Sequence, residues 1–383
     1  MKELKHRYES ATSAQCLAII ARRFSAGRAC IAFPVRLNLA CLMIAVLISG
    51  CGHIDQSPKL NLSPFQFTRP EMGTVFSVTI YGESETAVKP AAEAAFARAE
   101  QLNSILSDYD PNSEISKLSR MTDAGPMNSA VHVSDDLWNM LWSAVEASRK
   151  SDGAFDITIG PCVKLWRRSA SMGRLPSDEL LAKARGSVGW QAIELNPEKH
   201  EVKLNKSNTR LDVGGIAKGY AAAEMLKIIA RKGYTIASCG AAGDLAVGDA
   251  PPGKQHWRVA IASLQHPDQT DGYVKIVNAS ISTSGDTQRY IIIDGVRYSH
   301  IIDPRTGLGL TRRTGATVIC KAGTNADWLC KPLCILGAEK GMKIIEATEG
   351  AAARMVEIET FDGKEKSTFH QSRDWAGFVD DPN

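Results

Sequence analysis

Apolar and polar residues alternate from Thr74 to Tyr81, the period of a half-buried strand. From Ala87 to Leu106 the period changes, and Ala92, Phe96, Ala99, Leu102 and Leu106 fall on one helical face. Ser134 is an N-cap candidate for a second helix carrying Leu137, Leu141, Ala144 and Ser148 along one side. A third helix is predicted after Gly214-Gly215, running through Tyr220, Met225 and Ile229 and stopping at Gly233. Strands dominate later: Trp257, Val259 and Ile261 alternate, and Tyr290–Ile293 and Arg297–Ile302 flank the turn signal Asp294-Gly295. The stretch from Val356 to Phe369 folds back around Asp362-Gly363, and helices are expected over Asp327–Leu336 and Lys340–Glu346. This succession predicts an α+β body beginning near Phe65, with strands and helices in separate clusters and no internal repeat.

The composition, 44% hydrophobic and 23% charged over 383 residues, is that of a globular chain with a substantial core. The first fifty residues differ. Arg36 precedes an uncharged apolar run, Leu37–Ile48, followed by Ser49-Gly50-Cys51. This resembles a bacterial lipoprotein signal, which implies cleavage before Cys51, a lipid on its thiol and a mature domain on a membrane facing the periplasm or cell exterior. Residues 1–36 are long for a signal n-region, so translation is expected to start further downstream. They hold seven Lys/Arg against two Asp/Glu, and without them the formal charge falls from +3 to −2. No nucleic-acid footprint survives. Residues 1–50 are thus read as leader, 51–64 as a polar tether and 65–383 as one domain. Cys162, Cys239, Cys320, Cys330 and Cys334 remain, an odd number that argues against a disulfide framework. Cys330-x-x-x-Cys334 reads as two packed small residues rather than a zinc clip, with no second Cys/His pair nearby.

Candidate chemistry gathers in glycine-punctuated segments. In Asp212-Val-Gly-Gly-Ile-Ala-Lys-Gly-Tyr220 a strand ending at Leu211, two glycines and a helix with Lys218 in its first turn suit a phosphate, although neither Walker A nor Rossmann spacing is present. In Gly153-Ala-Phe-Asp156, either Phe155 is core and Asp156 caps a turn, or both meet a flat ring and its polar edge. Asp327, at a helix start, either satisfies the helix dipole or holds Mg²⁺. His300-Ile-Ile-Asp-Pro-Arg-Thr-Gly307 puts a histidine on or just after a hairpin arm, beside a turn punctuated by Pro304 and Gly307.

Together with Met72-Gly-Thr74, Ser113-Glu-Ile-Ser-Lys-Leu118, Ala242-Gly-Asp244 and Thr283-Ser-Gly285, these motifs in this order resemble the ApbE family of FAD:protein FMN transferases. The resemblance implies an ApbE-like body of mostly antiparallel sheets flanked by helices. It also implies an enzyme that cleaves FAD, releases AMP and attaches FMN through a phosphoester to a Thr or Ser hydroxyl of an acceptor protein, such as an electron-transport or redox subunit. By similarity Met72, Tyr109, Ala154, Phe155, Asp156, Asp212, Lys218, Ser284 and Ile302 line the FAD site, with Thr283 and Gly285 beside Ser284. His300 is the expected general base, oriented by Asp303 or another acceptor and titrating near neutrality. Arg305 is expected to offset charge on the leaving phosphate.

The family's Mg²⁺ ligands, by resemblance, are a main-chain oxygen near the double glycine, the helix-start aspartate and a threonine one turn later. Here Gly215, Asp327 and Lys331 stand at those places. A charged lysine does not ligate, so either its ammonium stands in for part of the cation or water completes the shell. Ala223 stands where an aspartate is common, with Glu224 next to it. Two other readings share these residues, an FAD-binding lipoprotein and a metal-dependent FAD pyrophosphatase without a protein acceptor. Thr314-Gly-Ala-Thr317 resembles the acceptor motif of flavinylated proteins and is read as coincidence.

Overall fold

An antiparallel sheet of eight strands carries the molecule, and its strands lie side by side in the order in which the chain makes them. They are β1 (Ser63–Glu71), β2 (Thr74–Gly82), β3 (Ala237–Ala241), β4 (Asp244–Val247), β5 (Ala279–Gly285), β6 (Arg313–Cys320), β7 (Ala352–Phe361) and β8 (Lys364–Gln371). The computed structural model describes residues 61–380 apart from positions 267, 287, 288 and 363. The leader, Cys51 and the tether up to residue 60 lie outside the described residues. The last two residues of the stretch read as tether, Ser63 and Pro64, already belong to β1.

The alternation in the sequence becomes the two faces of β2: Phe76, Val78 and Ile80 are fully buried, with less buried residues between them. The connection from β2 to β3 carries the helices α1 (Glu85–Leu106), α2 (Glu114–Arg120), α3 (Asp135–Lys150), α4 (Gly160–Met172), α5 (Asp178–Gly186) and α6 (Ala217–Arg231). The predicted helices are all present, and the last two differ in extent, since their common element begins at Gly323 rather than at Asp327. All five apolar positions read on α1 are buried, and in α3 the Ser134 hydroxyl accepts from the Leu137 amide while Leu137, Leu141, Ala144 and Ser148 face inward. The two later helices form one element, α7 (Gly323–Glu346), broken at Gly337, where φ is +79°.

Two expectations change. Arg210 makes only a single bridge to Ile159, so no strand leads into Asp212. The arm beginning near Arg297 ends at Ser299: the His300 amide still pairs in register with the Arg289 carbonyl, but the Ile301 amide turns back to the Ser299 hydroxyl. Ile302–Asp303 then pairs with Leu308–Gly309 as a second small hairpin. Cys330 and Cys334 are buried and unpaired and pack under β5, where the Cys330 thiol lies 3.4 Å from the Ser282 carbonyl. Among the described residues no helix is long and apolar enough to cross a membrane.

Helices α6 and α7 pack on the sheet and meet glycine to glycine at their starts. A Cβ on Gly219 would sit 2.3 Å from the Gly323 carbonyl oxygen and 2.7 Å from the Asp327 Cβ, and a Cβ on Gly323 would sit 2.4 Å from the Gly219 oxygen. These obstacles are mostly backbone, which cannot swing aside. We therefore expect Gly323→Ala to lose about 1–3 kcal/mol in urea unfolding, the usual cost of overpacking; an unchanged midpoint would show that the helices separate without cost.

Candidate active site

The glycine crossing brings two helix starts together, and neither has a side-chain cap. On α6, Lys218 Nζ donates to the Gly214 carbonyl at 2.8 Å and lies 3.9 Å from Asp244 Oδ2. Asp244 opens β4, and its other oxygen accepts from the Ser282 hydroxyl of β5 at 2.5 Å. On α7, Asp327 is fully buried. Its Oδ2 accepts from the Gly219 amide at 3.0 Å, its Oδ1 holds the Lys331 ammonium, and its main-chain oxygen takes the same ammonium at 2.8 Å. Two ammoniums and two carboxylates therefore share one largely buried pocket. Burial, reinforced by the charge on Asp327, pushes the Asp244 carboxyl up to about 6. Burial also acts on Asp327, but the Lys331 and Lys218 cations outweigh it and hold that carboxyl below its ordinary value.

Beside this pocket, Arg167 of α4 donates to Asp108 at 2.7 Å and to Asp212 at 3.3 Å and lies 4.0 Å over the exposed Tyr109 ring. The second Asp212 oxygen caps the double-glycine loop through the Gly214 amide at 2.9 Å. Tyr109, Asp212, Gly215, Lys218 and Asp327, separated by up to 218 positions in the chain, thus form one continuous wall. Phe155 belongs to it differently. Its edge lies 3.3 Å from where a Gly215 Cβ would stand, and its ring is 6.1 Å from Trp328, so with Ala154 it supports the loop from inside.

His300 stands where the charges of Lys331 and Lys218 reach it. Its Nδ1 lies 3.0 Å from the Arg289 carbonyl, an acceptor only, so Nδ1 carries the hydrogen and Nε2 keeps a lone pair. Burial pushes the imidazole down to about 4, with Arg289, Lys331 and Lys218 adding to the depression. Of the two alternatives for orienting the ring, Asp303 or another acceptor, the acceptor is the Arg289 carbonyl; the expectation of a titration near neutrality is corrected downward by burial. Asp303 is occupied by Arg305, whose Nη2 lies 2.6 Å from Oδ2 and whose Nε reaches both oxygens. Arg305 therefore spends its fork on its own turn, and Arg289 is the arginine whose charge is felt at His300.

Other expected residues serve local structure. Asp156 Oδ1 accepts from the Thr158 amide and hydroxyl and Oδ2 from the Trp190 amide, which is the turn-capping role. Ile302 packs in a small core with Cys162 and Ala184. Met72 occupies the β1–β2 turn with φ +47°, and Ser284 is half-buried on β5. Sequence reasoning missed the parts played by Asp108, Arg167, Asp244 and Arg289. Only Asp244 carried a signal, the Ala242-Gly-Asp segment.

The Mg²⁺ expected at Gly215 and Asp327 does not fit the residues present. Lys331 Cε and Cγ lie 3.3 and 3.6 Å from the Cβ position of Gly215, and the ammonium ends on Asp327, so the side chain runs beside the double-glycine loop and takes up the expected carboxylate ligand. Among the described residues no group of three or more His, Cys, Asp or Glu is placed to hold a metal.

The model of the ApbE family matches residues 72–355, which contain every element of this site. The chain belongs to the ApbE family. It is similar to the FAD:protein FMN transferase of Salmonella typhimurium, 28% identical over 325 residues, 82% of this chain and 91% of that one. Among solved structures it is similar to the apo flavinyl transferase ApbE of Pseudomonas stutzeri, at TM-score 0.69 and 27% identity over 83% of this chain and 97% of that one. The flavin transferase ApbE of Vibrio cholerae superposes at TM-score 0.70 with 25% identity, over 83% of this chain and all of that one. The mixed α+β architecture with mostly antiparallel sheets is therefore that of the ApbE fold.

The depressed His300 has a measurable sign. Its folded form resists protonation between its ordinary value of 6.5 and about 4, whereas the unfolded chain takes the proton, so this residue costs stability as pH falls through that window. In ring ¹⁵N NMR His300 should stay neutral to well below pH 6; a midpoint at or above 6.5 would refute the enclosed environment.

Proposed function

We propose that this chain is an FAD:protein FMN transferase that passes the FMN half of FAD to a Thr or Ser hydroxyl of an acceptor protein and releases AMP. The observation that carries this reading is the occurrence of Lys218, beside two uncapped helix starts, together with a His300 whose Nδ1 hydrogen is fixed by the Arg289 carbonyl, which leaves the lone pair on Nε2. The first arrangement suits a pyrophosphate, since amide dipoles and an ammonium favour negative charge. The second suits a hydroxyl that must lose its proton. Membership of the ApbE family, and relatives named FAD:protein FMN transferase, support the same activity.

In the proposed step the acceptor oxygen bonds to the FMN phosphorus as the bond from that phosphorus to the bridging oxygen breaks. The hydroxyl proton passes to His300 Nε2, and the bridging oxygen leaves on AMP. An imidazole depressed to about 4 is a weak base. A loose phosphoryl-transfer transition state asks little of its base, however, because the hydroxyl becomes acidic only as the new bond forms. Positioning and charge neutralisation then carry most of the rate, with Lys218 and Arg289 as cations on this chain and Tyr109, over Arg167, as an exposed ring for a flat ligand. Mg²⁺ is left out of this step, because Lys331 holds Asp327. The lipid on Cys51, which would hold the enzyme against a membrane beside membrane-bound acceptors, belongs to the same proposal. Thr317 is not offered as an acceptor: it is 4% exposed in the middle of β6, with its hydroxyl 3.1 Å from that of Thr283.

Incubation with FAD and a purified acceptor domain separates this reading from its rivals. Covalent fluorescent flavin on the acceptor is expected; free FMN and AMP alone would make the protein a pyrophosphatase, and intact FAD a binder. His300→Ala should slow transfer by about 10²–10⁴-fold, the range for a lost general base, while retaining FAD. Full activity in that variant would remove His300 from the mechanism.

A further inference from the structure

A carboxylate buried in the second turn of a helix with its own main-chain oxygen close by can hold a cation, and in this chain the cation is a side chain. Asp327 has no exposed surface, and each of its oxygens is already engaged, Oδ2 by the Gly219 amide and Oδ1, with the main-chain oxygen, by Lys331. The lysine stem reaches that position by running along Gly215, where a Cβ would stand 3.3 Å from its Cε. Gly215 thus leaves room for the lysine, and the lysine fills the space between the loop and Asp327.

Charge points the same way. Lys218 and Lys331 balance Asp244 and Asp327, so these four side chains carry no net charge between them. A divalent ion added to Asp327 would have to displace an ammonium tethered four residues away on the same helix and already bonded to both the carboxylate and the main-chain oxygen of that residue. That ammonium is a compact point charge with three donors, able to meet phosphate oxygens and unable to bind water as a metal does.

We propose that Lys331 is a built-in replacement for a divalent cation, and that this chain handles its pyrophosphate substrate with the ammonium pair Lys218 and Lys331 and no metal at Asp327. The inference rests on the transferase reading only for the word substrate, because cation binding is measurable without any turnover. Lys331 holds the charge of Asp327 in place, and its removal leaves a buried carboxylate that must find another cation or take up a proton.

The decisive test is Mn²⁺ binding to the purified protein, read from the electron paramagnetic resonance signal of free Mn²⁺, with FAD absent and present. The wild-type chain should bind no Mn²⁺ that Asp327→Asn abolishes, at ion concentrations up to about 1 mM, whereas Lys331→Ala and Lys331→Thr should each acquire one such site. Stoichiometric binding to the wild type that disappears in Asp327→Asn would overturn the proposal even if neither lysine variant folds. In the transfer assay, wild-type rates should agree within about twofold between EDTA and added Mg²⁺, and Lys331→Thr should become dependent on Mg²⁺. A loss of tenfold or more in EDTA that Mg²⁺ restores to the wild type would also overturn it. If no condition yields covalent flavin, the transferase reading falls, and the Mn²⁺ measurement alone still decides the role of Lys331.

Discussion

The close approach of α6 and α7 at Gly219 and Gly323 is the constraint on which the rest of this site depends. With no side chain on either residue, the backbone of one helix touches the backbone of the other, and the first turns of both arrive at one point. Asp327 can then accept from the Gly219 amide across the contact, so a helix start on one side is satisfied by a carboxylate from the other. Lys218 follows from the same geometry. Because it sits one residue before the crossing, its ammonium turns back over the double-glycine loop and toward Asp244 at the start of β4. A single methyl group at the crossing would therefore disturb a dipole contact, an ion pair and the loop together.

Around this crossing the electrostatics are arranged by burial and by neighbours of opposite sign. Asp244 and Asp327 are both enclosed and shift in opposite directions: the same two lysines reach both, but at Asp327 their charges, with the Lys331 and Gly219 hydrogen bonds, outweigh burial, whereas at Asp244 burial and the other carboxylate prevail. His300 is kept neutral by enclosure and by the surrounding cations, and its free nitrogen is set by a hydrogen bond to a main-chain carbonyl. Such a carbonyl fixes the tautomer without adding a negative charge that would favour the imidazolium. The flank formed by Arg167, Asp108, Asp212 and Tyr109 is instead tied by ion pairs and a cation over a ring, and it stays open to solvent at Tyr109.

Much of the fold was legible because its elements are locally consistent. Strand alternation in β2, the apolar stripe of α1 and the Ser134 cap of α3 are written within a few residues each, and the structure realises them. The break inside α7 was legible as a gap between two helical stretches, and Gly337 supplies its backbone. The end of the hairpin arm at Ser299 was not legible, since it is set by a local side-chain contact, the Ile301 amide donating to the Ser299 hydroxyl. The strand before Asp212 failed because Arg210 finds a partner at only one residue, Ile159.

By itself the sequence determined which residue types recur beside glycines, and so the family, the α+β class and the presence of His300, Lys218, Asp212 and Asp327 in one site. Tertiary structure decided what each of them is free to do. Arg305 and Asp156 bear the right chemistry but satisfy partners in their own turns, whereas Arg167, Asp244 and Arg289 enter through contacts made across the fold. Lys331 is the clearest instance. Its identity announced a departure in the ligand set, but whether the ammonium replaced a cation or pointed elsewhere depended on the space left by Gly215 and on a carboxylate one turn away. Charge and hydrogen-bonding capacity belong to the residue, while the partner that consumes them is chosen by packing.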